Sequence, residues 1–238
     1  MLSLLLLSAV AVTAAVPPPP LCGLAPGPLN TSTPNVLVVG DAVSAAGSGY
    51  LHHLQRLLSP GLATVQHAST GGLMTSAAAA QCLGGWLGGK EWDVVVVSLG
   101  LGDCGNGGGG SSFVPNLRKL VSQAGRGGST PVIYVTATPS PSSLPGINRS
   151  CVAANNRAAT LAMPTGAGAR RCPYRRVVKL GALVEDYCGG ASYQACRIQN
   201  AGSVLFNVSD SEPSGLQVGL FPPVPAAASS SSAIATPI

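Results

Sequence analysis

The sequence predicts a three-layer α/β/α sandwich built on a mostly parallel sheet, and three observations predict it. Short, nearly all-apolar runs at 35–39, 94–97 and 131–135 suit strands buried on both faces. Stretches with apolar residues at helical spacing alternate with these runs, the order that builds parallel sheets. The chain is 46% hydrophobic and 9% charged, which excludes a disordered protein, and its 238 residues fit one domain plus a targeting segment.

Taken in order, residues 1–15 read as a signal peptide. Leu2 to Val12 is uncharged and apolar, and Thr13-Ala14-Ala15 suits signal-peptidase cleavage. The run falls short of the about 20 residues that a membrane span needs, and no other window is long and uncharged enough, so no transmembrane segment is expected. The expected location is secreted or in the endomembrane lumen. Three N-x-S/T sequons, at Asn30, Asn148 and Asn207, are then glycosylation candidates. Residues 16–34 are Pro-rich and read as a linker or extended arm.

The domain itself is expected over 35–221. Its first strand ends at Gly40, and Tyr50, Leu51, Leu54, Leu57 and Leu58 follow at helical spacing until Ser59-Pro60-Gly61 stops the pattern. A helix around Ala77 to Leu87 precedes the strand at Val94, and a Gly-rich loop from Gly105 to Gly110 follows it. Leu117, Leu120 and Val121 mark one side of a helix over 116–123. The strand at 131–135 leads to a helix over 152–161, and Arg176 to Lys179 reads as a short edge strand. Residues 222–238, Ala/Ser/Pro-rich, read as a frayed tail.

Composition narrows the function. Aromatics are only 4%, which argues against a base-stacking nucleic-acid surface. With three histidines and no C-x-x-C pair, neither a metal site nor a cofactor is expected. Seven of the 13 basic residues fall within 149–179, so Arg170, Arg171, Arg175, Arg176 and Lys179 form a candidate site for an anionic partner. Seven cysteines fit an oxidising compartment. Short loops favour pairing Cys188 with Cys196 and Cys151 with Cys172, which leaves Cys22, Cys82 and Cys104 as an odd set.

In open α/β sheets ligands bind beyond the carboxyl ends of the strands. The residues there are Gly40-Asp41-Ala42-Val43, Gly100-Leu101-Gly102-Asp103 and Ala137-Thr138-Pro139, with Gly71-Gly72 as a flexible corner. The first segment resembles the G-D-S-[L/I/V] block of the SGNH/GDSL hydrolases, esterases of flavodoxin-like α/β/α fold. Gly71-Gly72 resembles the family's glycine block and Gly100 to Asp103 its G-x-N-D block. His67-Ala68, Gln81-Cys82-Leu83, Trp86-Leu87 and the Cys188 to Cys196 segment extend the resemblance over about residues 35 to 220.

The resemblance implies a serine nucleophile where this chain has Ala42, whose methyl group cannot attack a carbonyl. It implies an oxyanion-binding asparagine where Gly102 stands, and an aspartate and histidine at Gly202 and Leu205. The expectation is therefore an inactive SGNH-type domain that retains binding of a glycan or an acylated small molecule. Ser44, or Cys104 with His67 as base, are the stand-in candidates for an active esterase. Asp41 and Asp103 read as turn-fixing carboxylates. The backbone N–H groups of Ala42 and Gly72 are expected to remain as a shallow anion or carbonyl site.

Overall fold

The computed structural model describes residues 22–23, 25–44, 50–58, 61–105, 110–139, 146–163 and 175–189. The expected signal peptide and tail, Gly202, Leu205, Cys172, Cys196, Asn207, Arg170 and Arg171 lie outside the described residues.

Among the described residues, five strands form one wholly parallel sheet: β1 (Asn35–Gly40), β2 (Thr64–Ala68), β3 (Val94–Ser98), β4 (Val132–Val135) and β5 (Arg175–Val178), in spatial order β2-β1-β3-β4-β5. The α-helices described with them are α1 (Tyr50–Leu58), α2 (Ser76–Leu87), α3 (Phe113–Ala124), α4 (Arg149–Ala162) and α5 (Leu180–Tyr187). The chain steps from β1 to β2 in one direction along the sheet and from β2 through β3 to β5 in the other. Right-handed crossovers then place α1 on one face and α2, α3 and α4 on the opposite one.

The period of two within β1 divides its side chains between two cores. Leu37 and Val39 join Leu83 and Trp86 of α2, Leu117 and Leu120 of α3 and Ala159 of α4. Val36 and Val38 join Leu51 of α1 and Leu180 and Val184 of α5. With few aromatics available, Trp86, Phe113 and Tyr134 all serve the first core, and the Tyr134 hydroxyl donates to the Leu99 carbonyl at 2.7 Å.

Helix ends follow their capping residues. Thr75 Oγ1 accepts from the Ala78 N–H at 3.2 Å to start α2, and Gly88, at φ 51°, ends it. Asn148, a sequon residue, accepts from the Cys151 N–H at 3.0 Å, which starts α4 three residues before the apolar pattern does.

The Pro-rich stretch expected as a linker is docked where it is described. Lys90 Nζ donates to the Pro26 and Gly27 carbonyls at 3.0 and 2.7 Å, and Gln66 Nε2 donates to the Pro28 carbonyl at 2.8 Å. Asn30 Nδ2 donates to Thr64 Oγ1 at 2.9 Å, and Leu29 packs on the first core. The arm thus lies along β2, an edge strand whose unpaired side would otherwise invite intermolecular pairing.

The disulfides differ from the expected pairing. Cys22 is bonded to Cys82 and Cys104 to Cys151. Cys151 is therefore not available to Cys172: folding brings the loop after β3 onto the first turn of α4, closer than sequence spacing suggests. Cys188 is disulfide-bonded as well. No described helix is long and apolar enough to cross a membrane.

Candidate active site

The strand order reverses between β1 and β3, where Gly40 is paired with Ser98, so the turns following these two strands stand side by side at the carboxyl end of the sheet. The 41–44 turn is fixed by its own residues. Asp41 Oδ1 accepts from the Val43 N–H at 3.0 Å, and the Asp41 carbonyl accepts from the Ser44 N–H at 3.0 Å and from Ser44 Oγ at 2.7 Å. Across from it, Asp103 Oδ1 accepts from Ser76 Oγ at 2.6 Å while Oδ2 accepts from the Ser76 N–H at 3.0 Å. This anchors the 3-10 turn Gly102–Cys104 to the start of α2. Both carboxylates hold turns in place, as their positions suggest.

The three positions of the resemblance that are described converge, and they converge on a closed corner. The Ala42 N–H donates to the Gly72 carbonyl at 2.9 Å. It is therefore spent on the protein itself, which corrects the expectation that Ala42 and Gly72 leave an open pair of donors. At Gly102 a β-carbon would stand 2.5 Å from the Met74 carbonyl oxygen and 2.7 Å from that of Leu73. The backbone of 73–74 fills the space where the family carries an asparagine side chain. Gly71 and Gly72, at φ 88° and 53°, permit the sharp corner that brings this segment in.

Of the stand-in candidates, Ser44 and His67 meet, whereas Cys104 does not join His67. Ser44 Oγ lies 3.1 Å from His67 Nε2. A hydroxyl has one hydrogen, and the Asp41 carbonyl, which can only accept, takes it at 2.7 Å, so that hydrogen is directed away from His67 Nε2. Ser44 is 0% exposed and sits against the back of β1, where a β-carbon on Gly40 would stand 2.1 Å from its hydroxyl oxygen. Cys104, equally buried, is bonded to Cys151, so the proposed thiol does not exist; Asn155 Nδ2 donates to Cys104 Sγ at 3.1 Å and to the Gly100 carbonyl at 3.3 Å.

Burial dominates the electrostatics. It pushes the Asp41 carboxyl up to about 7, with the negative charge of Asp103 adding to the effect and the Val43 N–H opposing it. It lowers the pKa of His67, against a backbone hydrogen bond at Gly40, which favours the neutral imidazole. Beside Asp41, residues including Ser98, Thr136 and Thr138 pack closely enough to leave no room for a water molecule. Thr138 Oγ1 faces this tight region without a hydrogen-bond partner. No group of three potential metal ligands occurs among the described residues.

Sequence reasoning missed that the 72–74 backbone would occupy the corner. The signal was present in the glycines, since Gly102 in place of a side chain leaves a space that a neighbouring backbone can enter.

No family model and no curated protein sequence matches the chain. Solved structures do. The chain is similar to a lipase/acylhydrolase from Enterococcus faecalis at 17% identity, over 79% of this chain and 89% of that one, with a TM-score of 0.59. It is also similar to a family 3 carbohydrate esterase from Clostridium thermocellum at 19% identity, over 73% and 87% of the two chains, with a TM-score of 0.53. At such identities the likeness speaks for the architecture alone, and it agrees with the blocks at Gly40, Gly71 and Gly100: this chain has the α/β/α fold of the SGNH-type hydrolases.

Proposed function

We propose that this protein is a secreted SGNH-type domain that binds a ligand without hydrolysing esters. The observation that carries the reading is the Ala42 N–H donated to the Gly72 carbonyl at 2.9 Å, which occupies a backbone donor that an oxyanion would need. Ala42 itself offers no nucleophile, and Gly102 offers neither a donor nor the space for one. The apolar leader, the Cys22–Cys82 and Cys104–Cys151 disulfides and the exposed sequon at Asn148 support secretion. Reaction with a fluorophosphonate probe tests the reading. The native protein is expected to remain unlabelled; a stoichiometric adduct mapped to Ser44 would overturn it.

One observation favours a second reading, an esterase with a relocated Ser44–His67 pair, namely their 3.1 Å separation. The burial of Ser44 and the direction of its hydrogen bond to the Asp41 carbonyl rank it below the first.

A further inference from the structure

Between α4 and α5 lies an open groove of about 440 Å³, within the roughly 300–1,000 Å³ of small-molecule sites. Its walls bring together residues that the chain holds far apart: Ala153 and Arg157 from successive turns of α4, Lys179 at the end of β5, and Gly181, Ala182 and Glu185 from α5. Close packing makes this junction. The Gly181 N–H donates to Thr136 Oγ1 at 2.9 Å, and Asn156 binds the Ala137 backbone with both ends of its amide, at 2.9 and 2.8 Å. A β-carbon on Gly181 would stand 2.5 Å from the Ala137 carbonyl oxygen, so α5 is seated against β4 at a fixed depth.

The chemistry of the walls is uneven in an informative way. Arg157 and Lys179 are exposed, and among the described residues neither side chain forms an ion pair or a hydrogen bond. Two uncommitted cations on separate elements line one concavity together with the small residues Ala153, Gly181 and Ala182. Glu185 adds a single carboxylate, also without an ion-pair partner among the described residues.

We propose that this groove binds an acidic saccharide, a sugar ring bearing a carboxylate or sulfate. The anionic group pairs with Arg157 and Lys179. The aliphatic face of the ring lies against the small residues of the lining, and Glu185 accepts from ring hydroxyls. The carboxylate of Glu185 separates this ligand from a bare anion, which it would repel. The absence of an aromatic side chain among the described wall residues removes the stacking platform that single-stranded nucleic acid uses. This inference is read by binding and the non-hydrolytic reading by ester turnover, so the two fail on different experiments.

The test is titration calorimetry of the full-length secreted protein at low salt with trigalacturonate, a heparin-derived disaccharide, maltotriose and inorganic sulfate. Either acidic sugar is expected to bind saturably and maltotriose and sulfate far more weakly. Arg157→Ala with Lys179→Ala is expected to weaken binding by about tenfold or more, a shift of roughly 1.4 kcal/mol. Ala182→Trp, which fills the groove, is expected to abolish it. Glu185→Gln weakens sugar binding while strengthening that of sulfate. Arg118→Ala with Lys119→Ala, exposed on α3, serves as the charge control, and melting curves establish that each variant is folded. The proposal is overturned if neither acidic sugar binds, if the α3 pair weakens binding as much as the groove pair does, if Ala182→Trp leaves binding intact in a folded protein, or if sulfate binds as tightly as the sugars.

Discussion

The amide of Ala42 and the carbonyl of Gly72 are joined by a 2.9 Å hydrogen bond, and this bond closes the corner of the fold where the related blocks would assemble a catalytic centre. A carbonyl placed there accepts a proton donor that would otherwise face an oxyanion. The segment that carries it, 71–74, is pressed onto Gly102 and tied through Ser76 to Asp103. The small residues Ala42 and Gly102 thus coincide with a backbone segment packed against them.

Restoring the nucleophile alone is expected to achieve nothing. Ala42→Ser supplies a hydroxyl but no base, because His67 is engaged with the buried Ser44 hydroxyl at 3.1 Å. Steady-state hydrolysis of p-nitrophenyl acetate by this variant should match buffer.

The glycines of the corner and of α2 should behave oppositely. Gly102→Ala forces a β-carbon to within 2.5 Å of a backbone oxygen and is expected to destabilise the protein by about 1–3 kcal/mol. Gly85, exposed within α2 with open space at its β-carbon position, is expected to gain about 0.5–1 kcal/mol on replacement by alanine. Urea denaturation of the two variants beside the parent measures both.

Asp41 makes stability fall as pH rises toward neutrality. Its folded pKa, near 7, lies above the ordinary 3.8, so the folded state holds a proton that the unfolded state has released between those values. Stability is therefore greatest on the acid side of this window and is reduced above pH 7, by up to roughly 4 kcal/mol. His67 acts in the other direction: its lowered pKa means that acidification below about 6.5 favours the unfolded, charged form. Denaturation midpoints from pH 5 to 8 should decline less between pH 5 and 7 in Asp41→Asn than in the parent, with no difference in slope above that range.

The Cys104–Cys151 bond staples the loop after β3 to α4 across 47 residues. Replacing both cysteines by alanine is expected to cost about 2–4 kcal/mol. Peptide mapping without reduction should recover Cys22 with Cys82 and Cys104 with Cys151, and iodoacetamide should leave native Cys104 unmodified.

Much of the fold was legible because the strands are buried on both faces and so read as unbroken apolar runs: β1, β3 and β4 were placed within a residue or so. β2 was not, since Gln66 and His67 interrupt its apolar pattern and its outer side is met by the arm rather than by another strand. α5 was missed because eight residues containing Gly181 give too little periodicity, and Gly181 is there for contact with Ala137. The site was legible as positions but not as a state. The resemblance placed Ala42, Gly72 and Gly102 together; it carried no information on which backbone group would face which, and loop length misassigned the disulfide partner of Cys151. Those depend on how two turns pack, a tertiary property that local patterns do not encode.

The central claim, that the closed corner hydrolyses no esters, is tested most directly by steady-state rates on p-nitrophenyl acetate and butyrate for the parent, Ser44→Ala and His67→Ala proteins. The account predicts that all three equal the buffer rate. A parent rate above buffer that disappears in folded Ser44→Ala and His67→Ala variants would contradict it and establish the Ser44–His67 pair as the working centre.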